Sequence, residues 1–140
     1  MKIKIVDGVI YRGSSPETDA DWQYLKSLGI KYCLDLQTGA SPMKDGSPLE
    51  ESLKSDEFGI RTYAHPLSEL LPPTRLELAN AMNFLINHDH VFVHCKAGVD
   101  RTGMVIASYR ILKGWSKSKA IWEMRGMGMH LWYYWWGWFL

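Results

Sequence analysis

The sequence predicts an α/β fold: one domain, a central mixed sheet of about five strands, and helices flanking it. Three observations lead there. Short apolar and β-branched runs alternate along the chain with longer segments of helical period. Between them sit residues that start and stop elements, with Ser, Thr or Pro before helices and Gly after them. The length, 140 residues, suits a single core, and no internal repeat or low-complexity linker divides it.

The elements follow in order. Residues 3–6 and 9–12 read as a hairpin around an Asp7-Gly8 turn. Ser15 is expected to cap a helix with Pro16 at its first position, Trp22, Leu25 and Leu28 on its apolar face, and Gly29 as its stop. Residues 30–36 read as a buried strand, 37–48 as a loop, 49–58 as a short helix ended by Gly59, and 60–64 as a strand. The loop HPLSELLPPT follows. Thr74 then caps a helix with Leu76, Leu78, Ala79, Met82, Leu85 and Ile86 as its apolar positions. Residues 90–93 form a strand, 102–112 a helix stopped by Gly114, and Ser116 or Ser118 opens another helix to about Arg125. Residues 130–140 read as a last short helix.

Composition narrows the function classes. The chain is 46% hydrophobic and 22% charged with a net charge of +1, so nothing global draws it to nucleic acid or to an anionic membrane. Two cysteines make no disulfide framework, and no Cys/His spacing suggests zinc. The N-terminal apolar run is too short and interrupted for a signal peptide, and no run of about 18 apolar residues exists to span a membrane. A cytoplasmic protein is expected.

The chemistry concentrates in HCKAGVDRTG, residues 94–103. It lies between a strand and a helix, where α/β sheets bind ligands. A short loop of this kind, with Ala97 and Gly98, can curl so that the N–H groups of Lys96 to Arg101 point inward and bind an anion, helped by the helix dipole. Arg101 supplies a planar fork for two phosphate oxygens. Cys95 would sit at the floor, where the same amides favour a thiolate placed for in-line attack on phosphorus. The loop amides, including those of Val99 and Asp100, and Arg101 would then stabilise the equatorial oxygens in the transition state. Thr102 can hydrogen-bond the departing sulfur, and His94 orders the loop.

These residues resemble the signature of the cysteine-dependent tyrosine and dual-specificity phosphatases, HCxxGxxR followed by Ser or Thr. YRGSSPE, GIKYCLDLQ and the proline-rich loop before a helix are similar to the compact atypical dual-specificity members. The resemblance implies a tyrosine-phosphatase-like fold and one catalytic domain over residues 1–140. It also implies a phosphocysteine intermediate hydrolysed by water, and no metal.

Such chemistry calls for a general acid, and the family usually carries an aspartate on a separate loop roughly thirty residues before the cysteine. Residues 57–88 here contain no Asp. The segment HPLSELLPP resembles the acid loop of the tensin-related lipid phosphatase, with Glu69 where that enzyme has its aspartate. Glu69 is therefore the favoured acid. Asp100 is the rival, because its Gly-x-Asp-Arg-Thr setting resembles myotubularins and some bacterial phosphatases that accept phosphoinositides; the alternative reading is structural, with Asp100 orienting Arg101 or capping the helix. His65 ranks third.

The substrate stays open between a phosphorylated protein and a phosphorylated inositol or lipid, with a non-catalytic phosphate-binding module as the third reading. Lys96 tilts toward a multiply phosphorylated ligand; Tyr32, Tyr63 and the Trp-rich tail are candidate walls for a phosphotyrosine cleft, and Lys44 a rim. Cys33 reads as a buried small hydrophobe, with a redox partnership to Cys95 as the alternative. The tail HLWYYWWGWFL reads as packing against the domain, and less as a membrane-surface patch.

Overall fold

The computed structural model describes residues 1–37, 48–68 and 71–128, with the backbone alone for 48–52. Glu69, Lys44 and the Trp-rich tail lie outside the described residues.

The described residues form five strands and five helices. β1 (Ile3–Asp7) and β2 (Ile10–Gly13) make the expected hairpin. Its loop is Gly8-Val9, one residue later than predicted. The cause is the Asp7 carboxylate, whose Oδ1 accepts from the N–H groups of Val9 (3.1 Å) and Ile10 (3.0 Å) and so closes the turn from its own side. The Tyr109 hydroxyl donates to the other oxygen at 2.6 Å, tying the hairpin to the body.

α1 (Asp19–Ser27) starts later than predicted: Thr18 is its N-cap, not Ser15. Thr18 and Asp21 form a reciprocal capping box, while the residue three after Ser15 has no carboxylate to return the bond. Trp22 and Leu25 face inward as expected. β3 (Tyr32–Asp35) is shorter than predicted because the N–H of Ile30 bonds back to the carbonyl of Leu25, completing the helix end.

α2 (Pro48–Glu57) and β4 (Arg61–Ala64) follow closely on prediction. α3 (Arg75–Asn87) carries the predicted Thr74 cap, again as a capping box, with Glu77. Its buried face is Leu78, Ala81, Phe84 and Leu85. Leu76 and Ile86 were expected inside, yet they are 70% and 52% exposed. Leu76 lies about 200° round the helix from Leu78, so one face cannot hold both.

β5 (Val91–His94) is buried at every position. α4 (Asp100–Leu112) begins two residues before the predicted Thr102, and α5 (Lys117–Gly126) is capped by the Ser116 hydroxyl.

The strand order is β1-β2-β5-β3-β4, with β1 antiparallel to β2 and the rest parallel. β5 is thus central. Val91, Val93, Leu34 and Ile10 face a large core shared with α3, α4 and α5. Cys33 and Phe92 face a smaller core with Trp22 and Leu25 of α1. In the register, Gly13 of β2 and Asp35 of β3 both stand beside His94 of β5. Three parallel strands therefore end in one row, and the segments that leave them meet at one place.

Among the described residues, no helix is long and apolar enough to cross a membrane.

Candidate active site

That meeting place is the loop Cys95–Val99, between β5 and α4. Gly98 has φ +75, the left-handed conformation that turns consecutive N–H groups to one side. A side chain there is also excluded by space: a Cβ would lie 2.4 Å from the backbone carbon and oxygen of Gly13 and 2.8 Å from the nitrogen of Ser14. The loop rests directly on the end of β2.

Its carbonyls are taken up from outside. The Lys96 carbonyl accepts from the N–H of Ser15 at 3.1 Å, and the Gly98 carbonyl from Nη2 of Arg12 at 3.0 Å. The Val99 carbonyl accepts from the N–H of Gly103 at 2.8 Å, and Nδ1 of His94 lies 3.3 Å from the Cys95 carbonyl. Among the described residues, the N–H groups of Lys96, Ala97, Gly98 and Val99 have no backbone acceptor. Val99 occupies the N-cap of α4 and makes no side-chain cap bond, so the loop runs straight into the N-terminus of that helix. A ring of unclaimed donors at a helix N-terminus is a site for an anion.

Cys95 lies at the base of this ring, 2% exposed. The Thr102 hydroxyl donates to its Sγ at 3.1 Å, the bond expected from the sequence. Arg101 is 6% exposed at the start of α4, and Asp100 is half-buried in the first helical turn, where a negative charge suits the dipole. Lys96 and Ala97 are exposed at the rim. His94 is fully buried and stacks on Phe92, which places it beneath the loop.

The other candidates separate. His65 follows β4; its N–H donates to the Asp35 carbonyl at 2.8 Å, so it leaves the sheet beside the same row of strand ends. Burial pushes its pKa down, which keeps the ring neutral at pH 7. Leu67 is buried, and its N–H donates to the Leu36 carbonyl at 3.0 Å, which anchors the loop that leads to Glu69. Tyr32 and Tyr63 pack with Phe84 of α3 and with His88 just after it. Tyr32 begins β3, at the end of the sheet away from the loop. Cys33 is buried in the core beside α1 and Cys95 in the larger core on the other side of the sheet. Among the described residues, no three His, Cys, Asp or Glu side chains gather to hold a metal ion.

The sequence reading missed the residues that support the loop from behind: Arg12 and Gly13 at the end of β2 with Ser15 after it, and Asp35 at the end of β3 with Gln37 after it. The N–H of Gln37 donates to Oδ1 of Asp35 at 2.8 Å, and its Nε2 to the Ser15 hydroxyl at 3.3 Å. All but Gly13 are buried polar side chains. The available signal was an arginine two positions from Ile10, hence on the same buried face of a strand.

The tyrosine phosphatase family matches this chain over residues 2–127. Inositol diphosphatase DSP3 of Arabidopsis thaliana is 27% identical over 120 residues, which cover 85% of this chain and 58% of that protein. Inositol diphosphatase DSP5 of the same plant is 26% identical over the same shares. The chain therefore spans somewhat under three-fifths of these curated relatives. Among solved structures, the core catalytic domain of the PP-IP phosphatase SIW14 from S. cerevisiae superposes with a TM-score of 0.80 at 25% identity, covering 96% of this chain and 82% of that one. Kinase-associated phosphatase, solved with its catalytic cysteine replaced by serine, shares the fold, with a TM-score of 0.73 at 20% identity over 89% of this chain and 80% of its own. The match along nearly the whole described chain and the cysteine loop together place this protein in the tyrosine phosphatase family.

Proposed function

We propose that the protein is a cysteine-dependent phosphatase acting on a diphosphate carried by a phosphorylated inositol, with residues 1–140 as its catalytic domain. The carrying observation is the Cys95 sulfur at the base of a ring of amides whose carbonyls are bound from outside. The relatives named as inositol diphosphatases favour this class over a phosphorylated protein, and the exposed Lys96 suits a ligand of high negative charge.

In the proposed reaction, Sγ of Cys95 attacks the terminal phosphorus. The S–P bond forms as the P–O bond to the inner phosphate breaks, and that phosphate leaves with the electron pair. Arg101 and the amides of Lys96, Ala97, Gly98, Val99, Asp100 and Arg101 stabilise the equatorial oxygens. Water then attacks phosphorus, the S–P bond breaks, and the Thr102 hydroxyl steadies the thiolate that returns. His94 orders the loop and takes no proton.

The class of substrate also bears on the acid. A phosphate leaving group has a pKa near 6 and departs without a strong acid, whereas an alkoxide needs a proton. A chain without an aspartate at the usual place suits a diphosphate. Glu69 is the proposed acid and Asp100 the alternative; neutral His65 is a poor proton donor.

The test measures phosphate release from an inositol diphosphate, from an alkyl monophosphate and from a phosphotyrosine peptide, with wild type and Cys95→Ser. Preference for the diphosphate, lost in Cys95→Ser, supports the proposal. Preference for the peptide supports a protein phosphatase. No turnover by folded wild type, with phosphate still bound, leaves the non-catalytic module.

A further inference from the structure

The geometry points to Arg12 as a positioning residue of the phosphate site, holding the Gly98 carbonyl outward and setting a fixed positive charge behind Cys95. The inference rests on the reading of residues 95–101 as that site.

Arg12 lies on β2 beside Val93 of β5, two residues before the Cys95 nucleophile. It is 4% exposed. Taking a guanidinium out of water is costly, and its bond to the Gly98 carbonyl offsets only part of that. Burial accordingly pulls its pKa down, while Glu123 and Cys95 act in the opposite direction and Arg110 adds to the fall. By its bond to Gly98 and its place beside Val93, the guanidinium lies behind the loop that Cys95 opens.

The carbonyl bond has a consequence for the ring of donors. A peptide unit has its carbonyl and its following N–H on opposite sides. Holding the Gly98 oxygen toward β2 therefore turns the N–H of Val99 into the ring. Ser15 does the same for the N–H of Ala97, by taking the Lys96 oxygen on its own N–H. The Ser15 bond is made by backbone and is out of reach of substitution; the Arg12 bond is made by a side chain and can be tested. Among the described residues, the charged groups on the segments that meet at Cys95 include Arg12 on β2, Asp35 at the end of β3, Lys96 in the loop, and Asp100 and Arg101 at the start of α4. Arg12 differs from Arg101 in approaching from behind the loop, where Nη2 donates to the Gly98 carbonyl and not to the anion.

The experiment follows alkylation of Cys95 by iodoacetamide against pH, located by peptide mass, and its protection by inorganic phosphate. Both are read for wild type, Arg12→Met and Arg12→Lys, each with its melting temperature. In Arg12→Met the alkylation midpoint should move up, through loss of a nearby positive charge. Phosphate protection should weaken about tenfold, as expected for a misdirected charge-assisted donor set. Arg12→Lys should keep most of the midpoint and still lose protection, because an ammonium lacks the planar reach of the fork. Arg12→Met with wild-type midpoint and protection overturns the inference, leaving Arg12 as core packing. Should Arg12→Met not fold, Arg12→Lys decides: undiminished protection overturns the inference, and weakened protection with a retained midpoint supports it. Wild-type Cys95 that phosphate does not protect would instead overturn the phosphate-site reading itself.

Discussion

Two loops leave the sheet at the same row of strand ends, and they are built in opposite ways. The loop Cys95–Val99 is held by other segments: its carbonyls are bound by Arg12, Ser15 and Gly103, and its glycine presses on the backbone of Gly13. The stretch after β4 is held by its neighbour strand, through the bonds of His65 to Asp35 and Leu67 to Leu36, and by the burial of Leu67. The first arrangement uses up acceptors and leaves donors over, which makes an anion site. The second spends its donors at His65 and Leu67 on the carbonyls of Asp35 and Leu36. In the proposed reaction the anion site and the nucleophile thus belong to the loop packed on the core, while the proposed acid follows the anchors at His65 and Leu67 in the chain.

The sharpest break of this contrast is at Cys95. Cys95→Ser should lower turnover by at least about 10⁴-fold while phosphate binding survives, because the donors are backbone. Steady-state phosphate release and phosphate binding by calorimetry check both halves. Gly98→Ala comes next. It forces a side chain into the Gly13 backbone at a positive φ, and should cost about 1–3 kcal/mol of stability and weaken phosphate binding with it. Urea unfolding and the same calorimetry read the two losses together.

On the second loop, Glu69→Gln should slow an alkyl monophosphate by about 10²-fold and a diphosphate much less, since general acid catalysis acts on the leaving group. Asp100→Asn is the matched control. If Asp100→Asn loses the alkyl rate and Glu69→Gln keeps it, the acid lies in the first loop and the division of labour fails. Burial favours neutral His65, so folding is supported above the ordinary histidine pKa near 6.5 and that support is lost as pH falls below it. His65→Gln should therefore flatten the acid limb of a stability-against-pH curve and leave its neutral part unchanged. Smallest is Thr74→Ala, which removes the α3 capping box, costing about 1 kcal/mol in urea unfolding, with turnover intact.

The same contrast explains what the sequence disclosed. The first loop was legible because its chemistry is local: a cysteine, a glycine and an arginine in one decapeptide, between two apolar runs, need no knowledge of the rest. The alternation of elements likewise foretold the sheet and its helices. The capping of α1 was misplaced because Ser15-Pro16 is a good local start, and only the Asp21 carboxylate favours Thr18. The face of α3 was misread because Leu76 and Ile86 are apolar and yet exposed. Arg12 escaped because its role depends on β2 lying beside β5, about eighty residues later in the chain, and pairing of distant strands leaves no mark in either strand alone.

The central claim is that the Cys95 sulfur takes up the phosphoryl group. Rapid acid quench during turnover of an inositol diphosphate, followed by peptide mass analysis, tests it directly. The account predicts one added phosphoryl group on the peptide containing Cys95, appearing before inorganic phosphate and absent in Cys95→Ser. Steady turnover with Cys95 unmodified at every quench time, or with the phosphoryl group on another residue, would contradict it.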